Sequence, residues 1–126
     1  MRLLLDTNAL LWLLDDDPRL GVKARKALSQ ASEIVISEVS LWEIAIKVSI
    51  GKLQPIPDLY ETVLHLGFGR LGLIDRYLEA YTELPMLHRD PFDRMLVVQA
   101  QLGNLKLVTS DAILHGYDVA IVRADV

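Results

Sequence analysis

Four carboxylates that are widely separated in the sequence lie where an apolar segment ends or within a helical segment: Asp6, Glu43, Asp93 and Asp111. If the fold brings them together, like charges ~4 Å apart repel by ~4 kcal/mol at an effective dielectric of about 20. A raised pKa or a bound cation would relieve this repulsion. The chain has no cysteine, and its three histidines show no metal-binding spacing. Oxygen donors alone favour a hard ion, Mg²⁺ or Mn²⁺.

Each of these acids also has an ordinary structural explanation. Asp6 and Asp111 could cap helices, and Asp93 sits in a first helical turn, where acidic residues favour the helix dipole. Glu43 could pair with Lys47 four residues later. The apolar neighbours of Glu43 indicate either a narrow polar strip or a side chain that points into a cleft. The sequence leaves the structural and the chemical roles open.

The elements that must position these acids alternate along the chain. Short apolar runs predict five buried strands, at Arg2–Leu5, Glu33–Ser37, Arg70–Ile74, Lys106–Thr109 and Val119–Val122. Helical periodicity predicts Asn8–Leu14, Val22–Gln30, Glu38–Ile50, Asp58–Leu66, Asp75–Leu84, Pro91–Leu102 and a short turn at Asp111–His115. Gly51, Gly67 and Gly103 are expected to end helices. This alternation predicts an α/β fold in which a parallel sheet of about five strands has helices on both faces.

Parallel strands carry their ligand sites at the carboxyl edge of the sheet, where these acids would collect. The length of 126 residues suits one domain over residues 1–126. No signal peptide or membrane-spanning stretch is visible, so we expect a cytoplasmic protein with no membrane partner. The formal net charge of −4 argues against a polyanionic partner, but discounting the four acids brings it to zero.

Four segments in series resemble the PIN-domain ribonucleases, and more narrowly the VapC-type toxins of bacterial toxin–antitoxin pairs. They are "LLLDTNALLWLL", "SEVSLWEIAIKVSIGKL", "LPMLHRDPFDRMLVVQAQ" and "LVTSD". The resemblance covers essentially the whole chain. It implies a PIN-like three-layer sandwich and Mg²⁺- or Mn²⁺-dependent cleavage of RNA. It also implies a cognate VapB-like antitoxin, a peptide of which reaches the acidic site, and a homodimer.

Carried over by position, the family's catalytic and metal-binding quartet falls on Asp6, Glu43, Asp93 and Asp111. Asp6 and Asp93 are expected to bind the metal directly, and the other two directly or through water. Asp90 lies outside the quartet as a helix cap. Four polar neighbours are expected to support the site: Thr7, Asn8, Thr109 and Ser110. Asn8 departs from the histidine often found in close relatives.

Three basic residues are candidates for contact with RNA phosphates: Arg89, Arg94 and Lys47. Isolated surface charges are the norm, which favours solvated helix-end residues as the interpretation of Arg89 and Arg94, and Lys47 could orient Glu43. Trp12 and Trp42 are expected to pack in the core.

Two alternative functions stay open. A receiver-like phospho-acceptor domain would also have an acidic Mg²⁺ site, but it calls for paired acids after the first strand and a lysine after the fifth. A non-catalytic adapter could keep the fold without the chemistry.

Overall fold

The computed structural model describes all 126 residues, which form five strands, six α-helices and one 3₁₀ turn. The strands are β1 (Arg2–Leu5), β2 (Glu33–Ser37), β3 (Gly69–Leu71), β4 (Lys106–Thr109) and β5 (Ile121–Arg123). The helices are α1 (Thr7–Leu14), α2 (Val22–Gln30), α3 (Glu38–Ser49), α4 (Leu59–His65), α5 (Asp75–Glu83) and α6 (Pro91–Gly103), and the 3₁₀ turn is Ala112–Gly116. No helix has both the length and the apolar composition that crossing a membrane requires.

All five strands are parallel and lie in the order β3-β2-β1-β4-β5. Leu4 of β1 is paired with Val35 on one side and with Leu107 on the other, so β1 is the central strand. After β1, the next two strands, β2 and β3, lie on one side of it, and the last two strands, β4 and β5, lie on the other side. This reversal opens a crevice at the carboxyl ends of β1 and β4, where open α/β sheets bind their ligands.

Both faces of the sheet are covered by helices, as the sequence predicts. Successive side chains of a strand point to opposite faces. Leu3 and Leu5 therefore enter a core with apolar side chains of α1, α2, α3 and α4, whereas Leu4 enters a second core with those of α6. Because Leu3, Leu4 and Leu5 are all buried, β1 is held firmly in the sheet. Asp6 directly follows β1, so its position is fixed as well.

Most predicted element boundaries lie within one residue of the observed ones, and the limits of the third strand, the fifth strand and α6 differ for identifiable reasons. The third strand ends at Leu71 rather than Ile74, because β2 ends opposite Leu71 and offers no further pairing. The fifth strand begins at Ile121 rather than Val119, whose N–H is engaged with the carbonyl of Tyr117 in a turn. Helix α6 runs through Gly103 and ends at the next residue, Asn104, which has a φ of 53°. Asparagine is tolerated in this left-handed position more readily than most residues.

The end of the sheet is tied to α2 by a close backbone approach. The N–H of Gly21 donates to Ala124, and that of Lys23 donates to Val126. A Cβ on Gly21 would lie 2.3 Å from the carbonyl carbon of Val126. Glycine is therefore required there because of space, not because of its φ.

Candidate functional site

Asp6 lies at the carboxyl end of β1 and caps α1. Its carboxylate accepts the N–H of Ala9 at 2.7 Å, and the residue is 5% exposed. Burial raises the pKa of Asp6 from 3.8 to about 6, and the nearby carboxylates of Glu43 and Asp111 add to the rise. Hydrogen bonds from the Thr109 side chain and the Ala9 backbone oppose it. The capping role and membership of a carboxylate cluster are therefore both realised.

Glu43 points into the molecule from α3 and is 9% exposed. Its Oε1 accepts the hydroxyl of Thr7 at 2.6 Å, and its Oε2 lies 3.2 Å from Nζ of Lys47. Its charge contributes to the raised pKa of both Asp6 and Asp93, so it belongs to the same cluster. The ion pair with Lys47 anticipated from the sequence is present, and it leaves the Glu43 side chain largely buried.

Asp93 lies in the first turn of α6, behind the cap residue Asp90. The Asp90 carboxylate accepts the N–H groups of Phe92 at 2.8 Å and of Asp93 at 3.3 Å. Burial raises the pKa of Asp93 to about 7, and the charges of Asp90, Asp6 and Glu43 contribute, while His88 opposes the rise. Asp93 is thus a half-buried acid among other acids, and the cap assignment of Asp90 is observed.

Asp111 follows β4 and caps the 3₁₀ turn. Its Oδ1 accepts the N–H of Ile113 at 3.0 Å, and its own N–H donates to Oγ1 of Thr109 at 3.1 Å. Its Oδ2 lies 2.7 Å from Nε2 of His88. Because β1 and β4 are adjacent and parallel, Asp111 and Asp6 flank the crevice between them.

His88 is a site residue that sequence reasoning missed. Its Nε2 also lies 3.5 Å from Oδ2 of Asp93, so the imidazole sits between two of the predicted acids. A lone histidine with no metal-binding spacing gives no signal of its own. The available clue was its position two residues before the cap Asp90, in the segment "HRDPFD".

The remaining residues predicted to support the site or to contact RNA differ in solvent exposure. Asn8 is exposed, Ser110 is half-buried, and Arg89 is exposed beside His88. The assignment of Arg94 to RNA phosphate is wrong, because Arg94 is 4% exposed and its guanidinium donates to the carbonyls of Pro85 and Leu84. This guanidinium belongs to the interior.

The prediction for Trp42 is also wrong. Trp12 packs against the core, as expected, but Trp42 is 60% exposed. Its ring meets that of Phe92 edge-on, with centroids 5.3 Å apart. The two rings join the outer faces of α3 and α6 next to the acids, in a surface groove with Leu73, Leu78 and Tyr81.

The donor set fits a hard divalent cation. Oxygen donors come from the four carboxylates Asp6, Glu43, Asp93 and Asp111. The basic side chains in contact with them are Lys47, which pairs with Glu43, and His88, which lies between Asp93 and Asp111. Burial is the main cause of the raised pKa values of Asp6 and Asp93, and the charges of neighbouring acids add to the rise. A bound dication would offset the repulsion among these charges. Mg²⁺ and Mn²⁺ prefer such oxygen ligands.

Comparison with known proteins decides the family. The PIN domain model matches residues 3–120. The chain belongs to the PIN-domain family. Its sheet order also differs from the 2-1-3-4-5 order of receiver domains, so the receiver-like alternative is wrong. No curated protein sequence matches the chain.

Solved structures of other PIN-like chains share the fold. A chain of VapBC2 from Rickettsia felis, bound to a promoter DNA fragment, has a TM-score of 0.71 at 17% identity, with 97% of this chain and 98% of that chain covered. A chain of FitAcB from Neisseria gonorrhoeae has a TM-score of 0.69 at 18% identity, with 98% of each covered. A toxin–antitoxin complex from Klebsiella pneumoniae gives 0.67 at 20% identity, with 97% of each covered. At these identities the likeness concerns the fold.

Proposed function

We propose that this PIN domain, residues 1–126, is a metal-dependent endoribonuclease that hydrolyses RNA phosphodiester bonds. The observation that carries the proposal is the gathering of four carboxylates, two of them buried (Asp6 and Glu43) and two half-buried (Asp93 and Asp111), with the pKa of Asp93 raised to about 7. Nuclease activity is general among PIN domains, which supports the assignment. Titratable groups perturbed by burial and by like charges in a cleft are typical of catalytic sites.

Asp6 and Asp93 would hold Mg²⁺ or Mn²⁺ directly, with Glu43 and Asp111 completing the site. When bound, the ion lowers the pKa of a coordinated water and offsets charge that builds on the phosphoryl oxygens. Thr7 and Lys47 fix the two oxygens of Glu43, so that carboxylate can accept a proton or orient a water without changing rotamer. Burial of Asp6 and Glu43 limits the access of water to these two acids and strengthens their interactions.

Arg89 is the basic residue best placed to contact an RNA phosphate. It is exposed, next to His88, and has no acidic side chain within ion-pair distance. Lys47 is committed to Glu43, so its contribution would be orientation of that acid. With a net charge of −4, the protein should bind RNA modestly and in a salt-sensitive way.

We propose further that the protein is the toxin of a type II toxin–antitoxin pair, a homodimer that acts in the cytoplasm and is held inactive by a VapB-like antitoxin. The shared fold with chains of VapBC2 and of other toxin–antitoxin complexes supports this. Light scattering of the purified chain tests the dimer, and copurification with the product of a neighbouring small gene tests the antitoxin.

The decisive experiment is cleavage of a mixed RNA pool. We expect cleavage with Mg²⁺ and none with EDTA, and for Asp93→Asn a loss of about 100-fold or more, because the variant removes a ligand. Asp118→Asn is the matched control, since Asp118 is exposed and precedes β5 at the opposite edge of the sheet. Cleavage that persists in EDTA would contradict the proposal. A parallel arm with single-stranded DNA decides whether the substrate is RNA.

A separate measurement distinguishes the enzyme from a non-catalytic adapter. Mn²⁺ binding is followed by electron paramagnetic resonance in the wild type, Asp6→Asn and Asp93→Asn. An enzyme should bind Mn²⁺ in a way that depends on both carboxylates. An adapter that merely keeps the fold should show no such dependence.

A further inference from the structure

The imidazole of His88 is held at both of its nitrogens. Nδ1 accepts the backbone N–H of Asp90 at 2.9 Å. Nε2 lies 2.7 Å from Oδ2 of Asp111 and 3.5 Å from Oδ2 of Asp93. The side chain is 14% exposed, so solvent does not compete freely for these contacts.

These contacts define which nitrogen carries the proton. A ring nitrogen that accepts an N–H must present a lone pair, so Nδ1 of His88 is unprotonated. The proton of the neutral ring is then on Nε2, which donates it to Asp111. A protonated nitrogen has no lone pair for a metal ion. The donor atoms of His88, Asp93 and Asp111 lie within 4.8 Å of one another, but the histidine faces the acids as a hydrogen-bond donor.

The backbone of His88 is fixed by a second set of contacts. The hydroxyl of Tyr117 accepts the N–H groups of Leu87 at 3.1 Å and His88 at 3.0 Å, and donates to the carbonyl of Pro85 at 2.8 Å. The buried guanidinium of Arg94 bonds to the same hydroxyl and the same carbonyl. The loop before α6 therefore presents the ring in one orientation.

We infer that His88 is a positioning residue that holds Asp111 through its Nε2–H group and does not bind the metal. This rests on the proposed function as a metal-dependent nuclease. Oδ1 of Asp111 accepts the N–H of Ile113 and Oδ2 accepts that of His88, so both oxygens have a protein donor. Held in this way, Asp111 would act on the ion through a water, whereas Asp6 and Asp93 would hold the ion directly under the proposed function. Partners that orient ligands in this way are a regular part of metal sites.

The tautomer is measured first, on the metal-free wild type. Long-range ¹H–¹⁵N correlation at about pH 7.5 distinguishes the two tautomers of a neutral imidazole. The chain has three histidines, and the signals missing from the His88→Gln spectrum identify His88. We expect the proton on Nε2, before and after addition of Mg²⁺. A proton on Nδ1 in either state would overturn the inference.

Two variants then test the positioning role. His88→Gln keeps a side-chain N–H near the place of Nε2, whereas His88→Leu removes the donor at similar volume. We expect Mn²⁺ affinity to fall by about 10- to 100-fold in His88→Leu and to stay within about threefold of the wild type in His88→Gln. His65→Leu, at the exposed end of α4, is the control. Unchanged affinity in His88→Leu would overturn the inference.

A spectroscopic readout separates a positioning residue from a ligand. Electron spin echo modulation of bound Mn²⁺ should show no directly coordinated nitrogen in the wild type. A nitrogen coupling that disappears in His88→Leu would make His88 a ligand and overturn the inference. If neither Mg²⁺ nor Mn²⁺ binds the wild type, the proposed nuclease function fails, while the tautomer of the metal-free protein still decides how His88 acts on Asp111.

Discussion

The hydroxyl of Thr7 donates a 2.6 Å hydrogen bond to Oε1 of Glu43, across 36 positions of sequence. Thr7 is the first residue of α1 and directly follows Asp6, while Glu43 lies in the middle of α3. Both residues are buried. This bond joins the end of the central strand to the helix that leaves its neighbour, and it fixes the distance between two carboxylates of the site.

Thr7→Val should therefore weaken the site without changing its shape. Removing the hydroxyl leaves a buried carboxylate oxygen without its donor, and a hydrogen bond to a charged group contributes about 1.5–3 kcal/mol. We expect Mn²⁺ affinity to fall by about tenfold or more. Titration calorimetry measures it, with Thr7→Ser, which keeps the hydroxyl, as the matched control. Equal affinity of Thr7→Val and the wild type would show that Glu43 needs no such support.

The metal-free protein should lose stability as the pH rises. The pKa values of Asp6 and Asp93 are raised in the folded state to about 6 and about 7 from 3.8, so the folded chain binds more protons than the unfolded chain between these limits. The free energy of unfolding therefore falls from about pH 4 to about pH 7, by roughly 2–4 kcal/mol for Asp93 alone at 1.36 kcal/mol per pH unit.

Denaturant unfolding in EDTA across this pH range measures that slope. Asp93→Asn should flatten it and should be more stable than the wild type near neutral pH, because the buried charge is gone. Adding Mn²⁺ should stabilise the wild type and leave Asp93→Asn nearly unchanged. A stability that rises with pH in EDTA would contradict the unbalanced carboxylate cluster.

Arg94→Lys should destabilise the fold rather than weaken RNA binding directly. The guanidinium donates to two backbone carbonyls and to Tyr117 and lies 4.8 Å from the ring centroid of Tyr81. A lysine cannot reproduce this planar set of donors. We expect a loss of roughly 1–3 kcal/mol in the free energy of unfolding, the penalty for buried polar groups left unpaired. Urea denaturation measures it, and a wild-type midpoint would refute the structural role.

Arg89→Gln tests whether the exposed arginine contacts phosphate. One lost contact to single-stranded RNA should reduce the slope of log K against log salt by about 0.7, with little change in thermal stability. Lys106→Gln removes the same charge from the start of β4, at the opposite edge of the sheet, and should leave the slope unchanged. Fluorescence anisotropy measures the RNA binding. Both substitutions are made in the Asp93→Asn background, so that the RNA is not cleaved during the titration. Equal slopes for both variants would exclude a specific contact at Arg89.

Gly21→Ala should destabilise the protein by steric conflict. The added methyl group would lie 2.3–2.6 Å from backbone atoms of Val126, so the tie between α2 and the end of the sheet must open. We expect a loss of roughly 1–3 kcal/mol, as for overpacking in general. Gly72→Ala is the control, because its nearest neighbour would be Oε2 of Glu38 at 3.8 Å. Thermal unfolding that does not distinguish the two variants would argue against the close approach.

Much of the fold could be predicted from the sequence because its signals are local. Leu3, Leu4 and Leu5 are apolar on both faces of a strand, and Asp90 with Pro91 marks the start of a helix. The predicted third strand ends too late because its limit depends on where β2 ends, and the predicted fifth strand begins too early because Val119 takes part in a turn with Tyr117. Such long-range pairing is not written in the segment itself.

The site was harder to predict for a related reason. The sequence presents helix capping and metal binding as competing roles for Asp6 and Asp111, whereas in the structure both carboxylates cap a helical segment and also belong to the acidic cluster for which we propose metal binding. Arg94 and His88 look alike as polar residues beside a helix start. Only their tertiary contacts distinguish them. Arg94 bonds to Tyr117 and stabilises the interior, whereas His88 contacts Asp111 in the acidic cluster.

Three helical segments begin beside the acidic cluster, at the cap residues Asp6, Asp90 and Asp111. Each cap carboxylate accepts an amide proton at the start of its own helical segment and meets the partial positive charge there. Replacing any of these residues by alanine should therefore loosen a first turn as well as remove a negative charge, so that the shape and the electrostatics of this edge change together.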